Sequence, residues 1–249
     1  MSTRSPVRRL PGPARRYYFA VRHRDPRTLT VSALVLVLAA ALAAFGHLVE
    51  DYLTGDPIVR WDVHFARWLH EHSSGWLVEV FKIVTLAGNA AVLGVIVVAI
   101  GFVLVRRGRA KDAVVLFLAF GGASLVNALL KLIFHRPRPE LAFVHLDTYS
   151  FPSGHAATSS ATFTVMAYLL ARRQHSTGAR IWIGLGTVVA IALVGFSRLY
   201  LGAHYLSDVL AGISFGVAWA AASLLAYTFW GERETAELLP RSLRRRPQS

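Results

Sequence analysis

The 249-residue chain contains no cysteine, which excludes disulfides, thiol catalysis and thiolate metal sites together. Charge of any kind is scarce. Only 16% of residues are Asp, Glu, Lys or Arg against 54% hydrophobic, a combination few soluble domains have. Acidic residues are the scarcest, 14 against 27 basic ones, so the formal net charge is +13. No carboxylate cluster suited to a hard metal ion is visible, and His70 and His72, two residues apart, diverge on a helix and read as interfacial. The basic charge crowds the two ends: Arg4, Arg8, Arg9, Arg15, Arg16, Arg22, Arg24 and Arg27 at the front, and Arg241, Arg244, Arg245 and Arg246 at the back. No basic, aromatic-interleaved folded module accompanies them, so nucleic acid is not an expected partner. Beside apolar spans such ends set topology or touch anionic headgroups.

Apolar length is what the chain has in quantity. Six stretches carry no charge: residues 29–49, 83–105, 113–130, 156–171, 181–197 and 209–230. A helix needs about 20 apolar residues to cross the hydrocarbon core. The fourth run is short, but Ser153 before it and Arg172 after it suit the two interfaces. Small residues in "LAAALAAFG" offer a second reading of the first run, a cleaved signal peptide. The basic region ahead of it is longer than a signal n-region and the run is long enough to span, which favours an uncleaved anchor.

Basic loops mark the cytoplasmic side. The second connection holds Arg106, Arg107, Arg109 and Lys111, and the fourth holds Arg172, Arg173 and Arg180. The first carries Glu50, Asp51, Asp56, Asp62, Glu71 and Glu79 against Arg60, Arg67 and Lys82. Both termini are therefore expected inside, with the odd-numbered connections outside. The fold class is all-α: a polytopic bundle of six transmembrane helices over residues 28–230, with basic cytoplasmic segments at 1–27 and 231–249. Within the first outer connection, Trp61, Phe65, Trp68 and Leu69 fall on one face of an amphipathic helix expected to lie flat on the membrane.

Three clusters of ionisable residues interrupt the apolar pattern, all at outer ends of spans. Lys131 ends the third run and leads into "LIFHRPRP", where Pro137 and Pro139 stop the helix and hold Arg136 and Arg138 at the membrane surface. Lys131 alone could be a snorkelling lysine. Asn127, one turn earlier, can face the same cavity, though an interhelical hydrogen bond is the simpler expectation. Next, Pro152-Ser153-Gly154-His155 starts a helix whose unpaired N–H groups favour an anion, with a histidine at the rim that can move a proton near neutral pH. Last, in "SRLYLGAHYLSD", His204 and Asp208 are four apart and share a helical face, with Arg198 across the Gly202 turn. A carboxylate on one imidazole nitrogen leaves the other free to attack; a purely structural Asp–His pair is the competing reading. Cations, an anion-binding helix start and two histidines on one side suit a phosphate.

In these residues the chain resembles the type 2 phosphatidic acid phosphatase superfamily, whose signature is K-x6-R-P, then P-S-G-H, then S-R-x5-H-x3-D. Lys131 through Arg138-Pro139, the Pro152–His155 tetrapeptide, and Ser197-Arg198 through His204 to Asp208 match it in identity and spacing. The resemblance implies that Lys131, Arg138, Ser153, Gly154 and Arg198 bind phosphate. It further implies that His204 is the nucleophile, oriented by Asp208, and that His155 is the acid–base. It implies no metal or other cofactor.

A site at the outer membrane edge favours a lipid substrate, a polyprenyl diphosphate or a phosphatidate-like lipid. An undecaprenyl-diphosphate phosphatase of a bacterial plasma membrane is the most concrete version. Two other readings stand beside hydrolysis: transfer of the phosphoryl group to another acceptor, and a non-catalytic lipid-phosphate binder or flippase.

Overall fold

The computed structural model describes residues 26–55, 57–144 and 148–238, and among these residues every regular element is helical. Residues 1–25 and 239–249 lie outside the described residues, and with them the expected cytoplasmic placement of both termini. The elements are α1 (Pro26–Thr54), α2 (Pro57–Glu71), α3 (Gly75–Val84), a 3-10 turn (Thr85–Gly88), α4 (Ala90–Arg106), α5 (Ala110–Phe134), α6 (Gly154–Ala171), α7 (Thr177–Tyr200) and α8 (Leu206–Leu238).

Four helices, α1, α5, α7 and the part of α8 up to Trp230, are long and apolar enough to cross a bilayer, and the bent pair of α3 and α4 makes a fifth. The six straight spans expected from the sequence thus become four or five by length and composition. The second apolar run is not one helix. Asn89 accepts from the amides of Ala91 (2.9 Å) and Val92 (3.3 Å), capping α4 afresh, and the pair bends by 45°. The fourth run forms α6, but its serines, threonines and histidine keep it from qualifying as a lipid-facing span. It is instead the centre of the bundle, with Ala156, Ala157, Ser159, Ser160, Ala161 and Val165 all buried. Exposed positions on the surrounding helices are apolar, as a bilayer requires: Leu36, Val95, Phe102, Ile133 and Val188 are 65% to 71% exposed.

Small residues let the helices close on α6. A Cβ on Gly212 would stand 2.5 Å from the Ser153 carbonyl oxygen, and one on Gly216 only 2.3 Å from that of Ala157, so α8 lies backbone to backbone against α6. In α5 a π-helical turn at Leu118–Gly122 makes room for Trp219, whose Nε1 donates to the Leu118 carbonyl at 2.9 Å while its ring lies over Gly122. Past Trp230, where a tail was expected, α8 continues to Leu238; the strong helix formers in "ERETAEL" account for it.

α2 is the expected amphipathic helix, with Trp61, Phe65 and Trp68 stacked in series at 5.4 and 6.2 Å. Leu69 departs from that stripe. It is buried, on the same side as Asp62, so α2 has an inward face as well as its exposed aromatic one.

Candidate active site

The chain between α5 and α6 leaves the helix at His135, which adopts φ 50°, and crosses over the α7–α8 turn. The turn is made by Gly202 at φ 65°, where the absent side chain lets the Leu141 carbonyl come close; a Cβ would be 2.7 Å from it. Phe143 donates its amide to the Leu201 carbonyl at 3.0 Å, and Ser150 to that of Arg136 at 2.8 Å. Phe151 seals the loop from below, fully buried between Tyr52 and Phe134. Four helix ends are thereby gathered: the end of α5, the start of α6, the end of α7 and the start of α8.

At the centre is His204, 2% exposed. Arg138 Nη1 lies 3.2 Å from its Nε2. Guanidinium only donates, so Nε2 carries the lone pair and the ring proton is on Nδ1. Nδ1 faces Asp208 Oδ2 at 3.4 Å. Burial, then the charges of Arg198, Arg138 and Lys131, pull the His204 pKa well below that of ordinary histidine, so the ring is neutral. A neutral imidazole with a lone pair directed at a cation is a nucleophile poised toward whatever anion that cation holds.

Arg138 is itself held by the loop: Nε donates to the Thr148 carbonyl (2.6 Å), Nη2 to Thr148 Oγ1 (2.8 Å) and Nη1 to the Ala203 carbonyl (2.5 Å). Lys131 Nζ bonds the Tyr149 carbonyl. Arg198 is 3% exposed, with Nη1 on Thr85 Oγ1 at 2.8 Å. Its Nε and Nη2 are buried without a partner among the described residues, as is Ser153 Oγ. Ser153 is the N-cap of α6 yet its hydroxyl caps none of the first-turn amides, leaving both free for a ligand. A Cβ on Gly154 would be 3.0 Å from Asn127 Oδ1 and 3.9 Å from Lys131 Cε, which places the loop start directly beside the lysine. Asn127 makes an interhelical bond, donating to the Pro152 carbonyl at 3.4 Å. His155 is half-buried against the 3-10 turn, its Cβ 3.3 Å from where a Gly88 side chain would begin.

Arg136 departs from its expected place at the membrane surface. It is 4% exposed and turned inward, bonded through Nη1 to Asp208 Oδ1 (2.6 Å) and Ser207 Oγ (2.7 Å), and through Nη2 to Asp62 Oδ2 (2.9 Å). The Tyr205 ring lies 4.4 Å beneath its guanidinium. Burial alone would lower the Arg136 pKa, but Asp208 and Asp62 outweigh it and raise it. Asp62 also accepts from the Ser207 amide at 3.0 Å and from its hydroxyl. A continuous run therefore links α2 to the central histidine: Asp62, Arg136, Asp208, His204. Sequence reasoning missed Asp62, Ser207 and Thr85. The one available signal was an acid on the apolar side of an amphipathic helix; nothing local marked the threonine.

His70 and His72 do not converge: His70 stacks on Phe143 and His72 on Trp68. No group of three or more metal-ligating side chains occurs among the described residues.

The PAP2 superfamily signature matches residues 112–232. Phosphatidylglycerophosphatase B of Bacillus subtilis is 36% identical over 148 residues, 57% of this chain and 71% of the relative. Lipid A 1-phosphatase of Rhizobium etli is 29% identical over 179 residues, 64% of this chain and 68% of the relative. Among solved structures, a transmembrane PAP2-type phosphatidylglycerolphosphate phosphatase from Bacillus subtilis superposes with a TM-score of 0.66 at 27% identity, covering 80% of this chain and 96% of that one. Signature, relatives and shared fold together establish that the chain belongs to the PAP2 superfamily and is a phosphatase of that family.

Proposed function

We propose that this protein hydrolyses a lipid phosphate or lipid diphosphate at the extracytoplasmic edge of the plasma membrane, through a phosphohistidine on His204. The observation that carries the reading is the set of buried donors without partners, Arg198 Nε and Nη2 with Ser153 Oγ, beside the lone pair of His204 Nε2. Unpaired buried donors cost stability unless a ligand satisfies them. Three fixed cations and the α6 amides match the oxygens of a phosphoryl group, whose transfer is catalysed chiefly by positioning and charge.

In the proposed reaction His204 Nε2 attacks phosphorus in line, and Asp208 steadies the positive charge that develops on the ring. The phosphorus–oxygen bond to the lipid breaks and the departing oxygen takes a proton from His155, which holds one once the negative charge of the bound phosphate offsets the surrounding cations. Water then attacks the phosphohistidine, giving its proton to His155 and releasing phosphate. Lys131, Arg138, Arg198, Ser153 and the Gly154 amide hold the non-bridging oxygens. No step calls on a metal. Arg136 and Asp62 act as positioning residues, fixing the Asp208 carboxylate so that Oδ2 faces Nδ1.

The named activities of the relatives, on phosphatidylglycerophosphate and lipid A, support a phosphorylated lipid as the substrate class. The test is phosphate release in detergent, with chelator present, from phosphatidylglycerophosphate, phosphatidate and polyprenyl diphosphate. His204→Ala should lower release by roughly 10³-fold or more, and His155→Ala by about 10²–10⁴-fold. Undiminished release by His204→Ala would remove the nucleophile assignment. Release that requires an added acceptor would favour the phosphotransferase reading.

A further inference from the structure

A second built feature lies at the other end of α6. From His155 to Arg173 is 18 residues, about 27 Å of helix, close to the thickness of a hydrocarbon core. There α6 forms the floor of a groove between α4 and α5 on one side and α7 on the other. Its cavity of about 490 Å³ is lined by apolar side chains, Leu104, Leu116, Met166 and Ile183 among them, and ends at Arg109 and Arg173. A neighbouring cavity of about 610 Å³ meets it at the same two arginines and adds Lys111, Arg172 and Tyr227. Both volumes are in the range of ligand pockets.

The charge at the junction is lopsided. Among the described residues Asp112 is the one carboxylate lining it, against Arg109, Arg172 and Arg173. Arg109 Nε binds Asp112 Oδ2 at 2.7 Å, Arg172 Nη2 binds Oδ1 at 3.1 Å, and Tyr227 donates to Oδ1 at 2.5 Å. That carboxylate is fully engaged. Arg173 is exposed, and its guanidinium makes no ion pair or hydrogen bond among the described residues. An apolar channel that ends in an excess of guanidinium fits an amphiphile with an anionic head. Residues 239–249, with Arg241, Arg244, Arg245 and Arg246 and no acidic side chain, have the wrong sign to fill it.

We propose that this end of the molecule binds an anionic phospholipid drawn from the leaflet opposite the active site. One acyl chain lies in the groove over α6, the phosphate sits between Arg109 and Arg173, and the rest of the headgroup occupies the adjoining cavity. The site is separate from the reaction centre and rests only on the membrane setting of the helices. It anchors the junction of α5, α6 and α8 to the leaflet whose charge complements it.

Trp182 lines the groove and is 74% exposed, so its fluorescence reports directly on the occupant. The full-length protein is reconstituted with brominated-acyl phosphatidylglycerol or brominated-acyl phosphatidylcholine at matched fractions, and the signal of Trp182 is isolated by difference against Trp182→Phe. Phosphatidylglycerol should quench Trp182 with an apparent affinity roughly fivefold or more above phosphatidylcholine, the preference that one arginine at an anionic surface supplies. Arg173→Gln, which breaks no internal bond, should bring the two lipids close to parity. Gly186→Phe, at a groove position with nothing within 4 Å of the new Cβ, should cut quenching by both. Equal quenching by the two lipids in the parent protein, or a preference that survives Arg173→Gln and Arg109→Gln, overturns the proposal. So does protection of Trp182 from both lipids, which would mean that a second copy covers the groove.

Discussion

His204 is neutral because of where its neighbours point. Arg138 can only donate to Nε2, and burial with three nearby cations disfavours a proton on the ring. An ordinary histidine titrates at ~6.5, so a pKa held well below that leaves the proposed nucleophile unprotonated where a free imidazole would already be charged. The acid limb of the kcat/KM profile should accordingly lie below ~6.5, once the substrate's own phosphate ionisation near ~6 has been measured and divided out. A limb at or above that value would contradict the assigned geometry. The same scale includes Asp62, which touches no proposed reacting atom. Asp62→Asn should lower kcat about tenfold, the equivalent of ~1.4 kcal/mol of lost orientation in the Asp208 carboxylate, while competitive inhibition by inorganic phosphate stays unchanged. A structural role alone would lower the folded yield and leave kcat of the folded fraction intact.

At the scale of elements, the site depends on how closely α6 and α8 approach, because α6 brings Ser153 to His155 and α8 brings Asp208. Gly212 sets that distance, with the Ser153 carbonyl oxygen 2.5 Å from where its Cβ would be. Gly212→Ala meets backbone rather than a flexible side-chain tip, and should cost about 1–3 kcal/mol by overpacking, read as a lowered Tm in detergent. Activity at a temperature where the variant is folded should fall too, as Ser153 moves away from Asp208. Gly46→Ala in α1 is the control: nothing lies within 4 Å of its new Cβ, and the loss of a helical glycine should leave Tm equal or slightly higher. The 3-10 turn offers a complementary case. Gly88→Ala would press on Val194 at 2.4 Å and on His155 at 3.3 Å, so kcat should fall more than Tm.

For the whole molecule, two ends of different character are joined by α6: a buried network of cations and histidines at one, and a basic rim around Asp112 at the other. Which end faces the cytoplasm is an expectation from loop charge, and the absence of cysteine makes it simple to test. In the otherwise thiol-free chain, Glu71→Cys near the active-site end should react with a membrane-impermeant maleimide in intact cells. His175→Cys, in the turn between α6 and α7, should react only after permeabilisation. The reverse pattern would move the proposed chemistry to the cytoplasmic leaflet.

What was readable in the linear chain and what was not follow from the range of the forces involved. Lys131, Arg138, Ser153, His155, Arg198, His204 and Asp208 stood out because charge and titratable groups at the ends of apolar runs are costly in a membrane, and their fixed spacings lie within single helices or turns. Helical class and amphipathic α2 were legible for the same local reason, since hydrophobic periodicity is a property of consecutive residues. The bend at Asn89 and the burial of α6 were not, because both depend on what packs around the element. Asp62 and Arg136 show the limit most clearly. They are 74 residues apart, and Arg136 alone reads equally well as a surface charge or a buried one. The sequence by itself determined which chemistry the chain carries; only the tertiary fold decided that α2 would supply the carboxylate anchoring that chemistry, since a long-range ion pair in a dry interior leaves no trace in local spacing.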